Sequence, residues 1–326
     1  MYKINYNNIG YSYNNDSKDT LLSAALRSNI GFPYECNSGG CGACKFELIE
    51  GEVEELWPKA PGLSIRDRRK GKLLACQCKP TSDLEISISN LTMEQPAYKP
   101  TNFSAKVIER QFLSEEMFAL HLHTDSETSF IPGQFFMVKL AGIGTRAYSA
   151  ANPVNGNKLT FIIKTVPDGK VSQQLAYSDV VDLNIDGPYG TSGLTLADEE
   201  KSVFIAGGSG IAPMLSMVQT LIRQEYEKPI FVFYGSRIED ELIVAKELFG
   251  EATNLTLINV LSDSLPGSDW QGETGYIHDV LPKYLDDLTS TEFYLCGPPV
   301  MINAMQKLLM VENGVSFSKI HFDRFF

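Results

Sequence analysis

The sequence predicts a multidomain protein of mixed class: a small α+β domain, an antiparallel β-barrel, then a parallel α/β sheet of the nucleotide-binding type. Three observations predict it. Four cysteines, Cys36, Cys41, Cys44 and Cys76, fall in the N-terminal part. From about Phe103 the chain becomes a series of short strand-like segments separated by turns. From about Lys201 apolar strands alternate with helical stretches, and a glycine turn follows the first of them. A chain of 326 residues has room for two or three such domains.

The N-terminal domain, residues 1–95, opens with two short polar-apolar stretches and then a helix ending at Arg27. Asp19 or Thr20 can cap it, and Leu21, Leu22, Ala25 and Leu26 supply its apolar face. Strand-like Lys45–Ile49 and the strictly alternating Leu84–Ile88 complete a mixed sheet.

Between helix and strand lies the cysteine loop. Its pattern is C-x4-C-x2-C with a distant fourth cysteine, the ligand spacing of a plant-type [2Fe–2S] centre. The residues between are small or polar: Asn37-Ser38-Gly39-Gly40 and Gly42-Ala43. Glycine lets backbone approach an inorganic core closely and point N–H groups at its sulfurs. Structural zinc usually takes two short-spaced ligand couples, which this loop lacks. A disulfide framework needs more than six cysteines in a chain of this size. Cys78 competes with Cys76 as fourth ligand and is read as a small buried residue.

Composition excludes other classes. The formal charge of −12 argues against nonspecific nucleic-acid binding. No apolar run reaches the ~20 residues that span a bilayer. The first six residues lack the apolar core of a secretion signal. The expectation is a cytoplasmic protein, where thiols stay reduced. Residues 1–95 hold 11 basic and 12 acidic side chains, against 17 and 28 in the remainder. The charge break falls at Met93–Asn102, where two prolines mark residues 96–102 as a linker.

Residues 103–200 carry the barrel pattern, for example Gln134–Val138 and Leu159–Lys164. Arg146-Ala147-Tyr148-Ser149 stands near the end of one such strand. Gly169-Lys170-Val171-Ser172 opens a helix over Val171–Ala176, whose free N–H groups suit a phosphate. Gly187-Pro188-Tyr189-Gly190 reads as a structural turn. In residues 201–326 the strand Ser202–Ala206 leads into Gly207-Gly208-Ser209-Gly210-Ile211-Ala212-Pro213. This G-x-G-x-x-P departs from the dinucleotide fingerprint at its last position. A helix Pro213–Arg223 is expected, with proline near its first position. Strands Pro229–Tyr234 and Glu292–Cys296 end in Gly235-Ser236-Arg237 and Gly297-Pro298-Pro299.

In this order the motifs resemble the ferredoxin–NAD(P)H reductase superfamily over residues 103–326. Over the whole chain they resemble its subgroup with an N-terminal plant-type ferredoxin, which implies a β-grasp-like first domain. The blocks Tyr34–Cys44 and His321–Phe326 are similar to those of reductase components of bacterial toluene, o-xylene and phenol monooxygenases.

The resemblance implies roles. Arg146 pairs with the FAD pyrophosphate, where a guanidinium fork suits phosphate oxygens. Tyr148 lies against the isoalloxazine ring, and Ser149 hydrogen-bonds at flavin N5. Ile162 and Lys164 belong with the flavin contacts, and Gly169, Val171 and Ser172 complete its phosphate site. Gly208, Gly210 and Pro213 carry the nicotinamide dinucleotide. Arg237 faces the adenosine ribose, where Glu239 or Asp240 would repel a 2′-phosphate and favour NADH over NADPH. Cys296 and Gly297 lie beside the nicotinamide, with Cys296 as a positioning group. Asp323 supplies an acid near N5, and Phe325 or Phe326 stacks on the flavin.

The implied function is an NADH:ferredoxin oxidoreductase of an aromatic monooxygenase. Hydride passes to FAD, then single electrons pass through [2Fe–2S] to a Rieske-type ferredoxin or a diiron oxygenase component. Two alternatives are a reductase feeding a ring-hydroxylating dioxygenase directly and a non-enzymatic metal-binding redox adaptor. The densest basic run, Arg66-Asp67-Arg68-Arg69-Lys70-Gly71-Lys72, is expected to steer an acidic acceptor toward the cysteine loop.

Overall fold

The computed structural model describes residues 1–7, 10–89, 95–195, 199–243, 246–250, 252–263 and 269–325. Phe326 and the Met93-Glu94 end of the expected charge break therefore lie outside the described residues. The chain divides into two compact units. One comprises Met1–Asn102 with Asp186–Thr191, and the other Phe103–Ile185 with Ser192–Phe325.

In the first unit a mixed sheet runs in the order Ser12–Asn15, Tyr2–Tyr6, Leu84–Ser87, Lys45–Glu50, Lys72–Leu74. Its parallel pair, Ile4 with Leu84 and Tyr6 with Ile86, joins the two ends of the domain. The helix Leu21–Arg27 buries Leu21, Leu22, Ala25 and Leu26. Of the two candidate caps, Thr20 does the work: its Oγ1 accepts from the Ser23 N–H at 3.2 Å. Asp19 instead pairs with Arg27 at 3.0 Å.

Arg27 also reaches Asp186 at 2.6 Å. The Tyr189 hydroxyl lies 3.0 Å from Asp186 Oδ2 and 3.1 Å from Ser23 Oγ. The segment Gly187–Gly190 was expected as a turn. Gly187, Pro188 and Tyr189 instead finish the strand Asp182–Tyr189, and Tyr189 is wholly buried. Arg27→Ala strands two carboxylates in a poorly hydrated site. A loss of about 2 kcal/mol is expected, below the range for fully buried pairs because water reaches the group. A urea titration of the first unit's unfolding would show it as a lowered midpoint.

The second unit holds two sheets. The first is ordered Gly144–Ser149, Phe135–Leu140, Asp182–Tyr189, Thr101–Phe112, Met117–Thr124, Lys158–Lys164. A bridge between Ala150 and Phe161 joins its two edges, so the sheet closes. The first of the long strands begins at Thr101, inside the expected linker. Side-chain alternation sends Leu159, Phe161 and Ile163 into the barrel core with Phe118, Leu120 and Leu122. Ile162 points the other way and is buried with Ile211 and Met214.

The last sheet is parallel, in the order Glu273–Thr274, Leu255–Leu261, Ile230–Ser236, Lys201–Gly207, Thr291–Gly297, Ile320–Arg324. Both faces are covered. Val203 and Ile205 pack with Phe293 and Leu295, while Phe204 and Ala206 pack with Tyr294 and Cys296. Strand order reverses between Lys201–Gly207 and Thr291–Gly297. That reversal opens a crevice at the C-terminal ends of these two strands, the place where such sheets bind ligands. Among the described residues, no helix is long and apolar enough to cross a membrane.

Candidate functional site

The cysteine loop brings its sulfurs together in two pairs. Cys36 Sγ and Cys41 Sγ are 3.3 Å apart. The Cys44 thiol is hydrogen-bonded to Cys76, and that bond and burial push it well above the usual thiol range. Backbone N–H groups of Ser38 and Cys41 donate to Cys36 Sγ at 3.4 and 3.3 Å, and Ala43 N–H to Cys41 Sγ at 3.4 Å. Donation from Cys41 and Ser38 draws the Cys36 thiol toward thiolate. Two thiol pairs fit the four-thiolate ligand set of a [2Fe–2S] cluster.

The loop's shape needs its glycines. Gly42 has φ +77°, and a Cβ there would stand 2.2 Å from the Gly62 carbonyl oxygen. Gly39 carries φ +86° and its carbonyl accepts from Gly62 N–H at 2.9 Å. Sequence reasoning missed two supports. Gln77 Nε2 donates to Cys76 Sγ at 3.6 Å. Arg68 donates to the Pro58 carbonyl and, at 2.6 Å, to that of Ala60, so it braces the stretch packed against Gly39. Cys78 is buried on the strand Cys78–Pro80 opposite Glu55, and burial pushes its thiol up to about 12.

In the barrel, Arg146, Tyr148 and Ser149 occupy one edge strand. Arg146 is exposed and donates to the Thr145 carbonyl at 2.9 Å. Tyr148 packs on Phe161 with centroids 6.0 Å apart, and Ser149 is buried. The helix expected from Val171 runs over Lys170–Tyr177 with Gly169 as its N-cap. Val171 turns its side chain into the barrel core. The Ser172 hydroxyl donates to the Gly169 carbonyl at 3.1 Å and accepts from Val166 N–H at 3.3 Å. The backbone N–H groups of this turn, rather than those side chains, are what it offers an anion. Lys164 is held by Glu116 at 2.8 Å.

At the crevice, the chain leaves Gly207 through a tight turn, Gly208–Gly210, into the helix Ile211–Arg223. Pro213 is thus the third helical residue, not the first. It is tolerated there because the first turn's N–H groups have no partners within the helix. A Cβ on Gly210 would lie 2.2 Å from the Cys296 carbonyl oxygen, and one on Gly297 3.1 Å from Gly207 N. The two loops therefore touch backbone to backbone. Cys296 is fully buried and pairs in register with Asp323. Burial, then the Asp323 charge, pushes its thiol well up, so it stays protonated and is no nucleophile. Phe325 N–H donates to the Gly297 carbonyl at 3.0 Å, fastening the chain's end beside this pair.

Pro213, Cys296 and Asp323 line one small cavity with Met214, Tyr294 and His321. The Tyr294 ring lies between Phe204 and His321, each 4.9 Å away and nearly parallel. Glu292, also buried, is paired with His321. Period-two alternation from Cys296 back to Tyr294 was the available signal for this wall. Arg237 lies apart, at the end of Ile230–Ser236, paired with Glu241.

A loop shaped for two irons, an exposed guanidinium beside free helix N–H groups, and glycine turns at a strand-order reversal define an oxidoreductase linking a nicotinamide nucleotide, a flavin and an iron–sulfur cluster. Comparison with known families agrees. The chain matches the 2Fe-2S iron-sulfur cluster binding domain over residues 4–81, the oxidoreductase FAD-binding domain over 104–193 and the oxidoreductase NAD-binding domain over 204–307. It is similar to the ferredoxin–NAD(P)(+) reductase CarAd of Metapseudomonas resinovorans, at 40% identity over 95% of each chain. It is also similar to the alkene monooxygenase ferredoxin–NAD(+) reductase component of Xanthobacter autotrophicus, at 36% over 98% of this chain and 99% of that one. Among solved structures, the ferredoxin reductase in carbazole 1,9a-dioxygenase covers 100% of this chain and 98% of its own. Its TM-score is 0.91 at 36% identity. The chain belongs to the family of ferredoxin–NAD(P) reductases that combine 2Fe-2S, FAD-binding and NAD-binding domains. Named members include those of xylene, phenol and alkene monooxygenases.

Proposed function

We propose that the chain is the NADH-dependent reductase component of a multicomponent aromatic monooxygenase of the toluene, o-xylene or phenol type, with a Rieske-type ferredoxin as immediate acceptor. The observation that carries this is the presence, in one chain, of the paired thiols and the glycine turns at the parallel sheet's switch point. Bound FAD would accept one hydride, an electron pair with a proton, and a [2Fe–2S] cluster would carry single electrons, which is the chemistry needed to join NADH to a one-electron acceptor.

The residues divide the labour. Cys36, Cys41, Cys44 and Cys76 would hold the [2Fe–2S] cluster, which would supply one-electron transfer. Arg146 and the N–H groups of Val171 and Ser172 bind the flavin pyrophosphate. Tyr148 and Ser149 orient the ring, with Ile162 and Lys164 shaping the strand beside it. Gly208, Gly210 and Pro213 let backbone meet the dinucleotide. Cys296, Gly297 and Asp323 place the nicotinamide, and Phe325 or Phe326 covers the flavin. Residues 1–95, 103–200 and 201–326 are the cluster, flavin and nucleotide domains, joined at 96–102. A cytoplasmic setting keeps the thiols reduced.

A second reading, the reductase of a ring-hydroxylating dioxygenase, is favoured by the similarity to the carbazole dioxygenase protein. Steady-state rates with purified Rieske-type ferredoxins and with oxygenases added directly separate the two. Reduction of the oxygenase without any ferredoxin would overturn the first reading.

The basic run is the proposed acceptor surface. Arg66, Arg68 and Arg69 are all exposed at the helix Ile65–Arg69; Arg68 also holds two carbonyls, so Arg66 and Arg69 are the charges to reverse without disturbing that brace. Reversing both to glutamate should raise the KM for an acidic ferredoxin about fivefold to tenfold and flatten its salt dependence. An unchanged salt dependence counts against this surface.

A further inference from the structure

Gln77 stands between two buried cysteines, and its side chain is committed to one of them. The short turn Ala75–Gln77 carries Cys76 between the strands Lys72–Leu74 and Cys78–Pro80. Both ends of the turn are tied. Ala75 N–H donates to the Cys44 carbonyl at 2.9 Å, and the Gln77 carbonyl accepts from Leu56 N–H at 2.8 Å. From this fixed backbone Gln77 Nε2 donates to Cys76 Sγ at 3.6 Å, an ordinary separation for an acceptor as large as sulfur.

The stem of the side chain is packed as well. A Cβ on Gly39 would meet Gln77 Cγ and Trp57 Cε3 at 3.2 Å each, and Ala60 Cβ at 3.3 Å. The bare backbone of Gly39 therefore leaves room for all three. Cys76 is 3% exposed, so the amide meets its sulfur where water is scarce and electrostatic interactions are strong. A thiolate repels the amide oxygen and attracts the N–H, which decides the end that faces it. The donors to Cys36 and Cys41 from Ser38, Cys41 and Ala43 are backbone groups of the loop itself. Gln77 differs in kind. It is a side chain from outside the C-x4-C-x2-C segment, and its donor can be removed without altering the path of the loop.

We propose that Gln77 is a tuning residue for the iron–sulfur centre, acting through Cys76 to hold the reduction potential above the value the four thiolates alone would give. This rests on the iron–sulfur reading above. One-electron reduction, with the electron taken from reduced flavin, adds one negative charge to the centre. A donor aimed at a ligand sulfur stabilises that charge more in the reduced state than in the oxidised one.

The test is an EPR-monitored redox titration of the full-length, cluster-loaded protein, comparing the natural chain with Gln77→Met and Gln77→Leu. Methionine keeps the length of the side chain and its packing at Gly39, but has no N–H. Iron, acid-labile sulfide and flavin should match the natural chain. The midpoint should move to more negative values in both variants. Reduction should become about threefold to tenfold less favourable, a shift of about 30–60 mV for one electron. A role in packing alone would cost cluster content and leave the potential of the loaded fraction where it was. A midpoint that is unchanged or more positive in loaded Gln77→Met overturns the proposal. Where that variant takes up no cluster, Gln77→Leu decides by the same criterion. Loss of the cluster from both would make Gln77 a support of the loop and overturn the tuning role. A natural chain that binds no [2Fe–2S] cluster on reconstitution overturns both this proposal and the reductase reading, whereas an unmoved midpoint overturns this proposal alone.

Discussion

Cys76→Ser is expected to cut electron delivery to a ferredoxin acceptor at least about a hundredfold, since losing a ligand outright exceeds the 10–100-fold cost of losing its supports. NADH oxidation with ferricyanide should persist, because the flavin and nucleotide residues lie on other elements. Cys78→Ser is the matched control. It lies two positions on, is equally buried, and faces Glu55 across a strand pair rather than the other thiols. Its thiol stays protonated, pushed up to about 12 by burial. Iron and acid-labile sulfide should fall in the first variant and hold in the second. The reverse pattern would mean that the fourth ligand has been assigned to the wrong cysteine.

Gly210→Ala carries the second large effect. The constraint is close approach rather than dihedral strain, since Gly210 sits in the right-handed region at φ −60°. Its new methyl would stand 2.2 Å from the Cys296 carbonyl oxygen, so the glycine turn and the Cys296-Gly297 loop must part. Both loops flank the strand-order reversal, and misplacing a binding loop by about 1 Å can cost two orders of magnitude. A rise of at least about tenfold in the KM for NADH is expected, with flavin content retained. Gly208→Ala is the comparison. Its φ of +56° costs about 1–2 kcal/mol of strain, but no atom lies within 4 Å of the added carbon. It should affect stability more than NADH binding. Equal rises in KM for the two variants would contradict the close-approach argument.

What could be read from the sequence was what local spacing determines. The cysteine loop, the Thr20-capped helix and the glycine turn each depend on residues a few positions apart, and each is found where expected. Short strand-like runs between turns placed the barrel, and period-two alternation back from Cys296 would have placed Tyr294 with it on the cavity wall. Side-chain commitments were not legible, because they depend on partners distant in sequence or on which way a long side chain turns. Lys164 reads from the sequence as a cofactor contact, and only the fold shows its ammonium paired with Glu116 as well. Arg68 read as one charge in a surface run, yet it holds the Pro58 and Ala60 carbonyls. Arg237 and Glu241 are the intermediate case. Their four-residue spacing was visible, but only the fold shows Glu241 buried and Arg237 folded back on it.

The most direct test of the central claim is an anaerobic titration of the purified protein with NADH, followed by absorption and then by low-temperature EPR. The account predicts bleaching of both flavin and iron–sulfur bands by NADH alone, and a rhombic signal from a reduced [2Fe–2S] cluster bound to the same chain. A colourless protein, or one that holds zinc and no flavin after cofactor reconstitution, would contradict it and leave a metal-binding adaptor as the better reading.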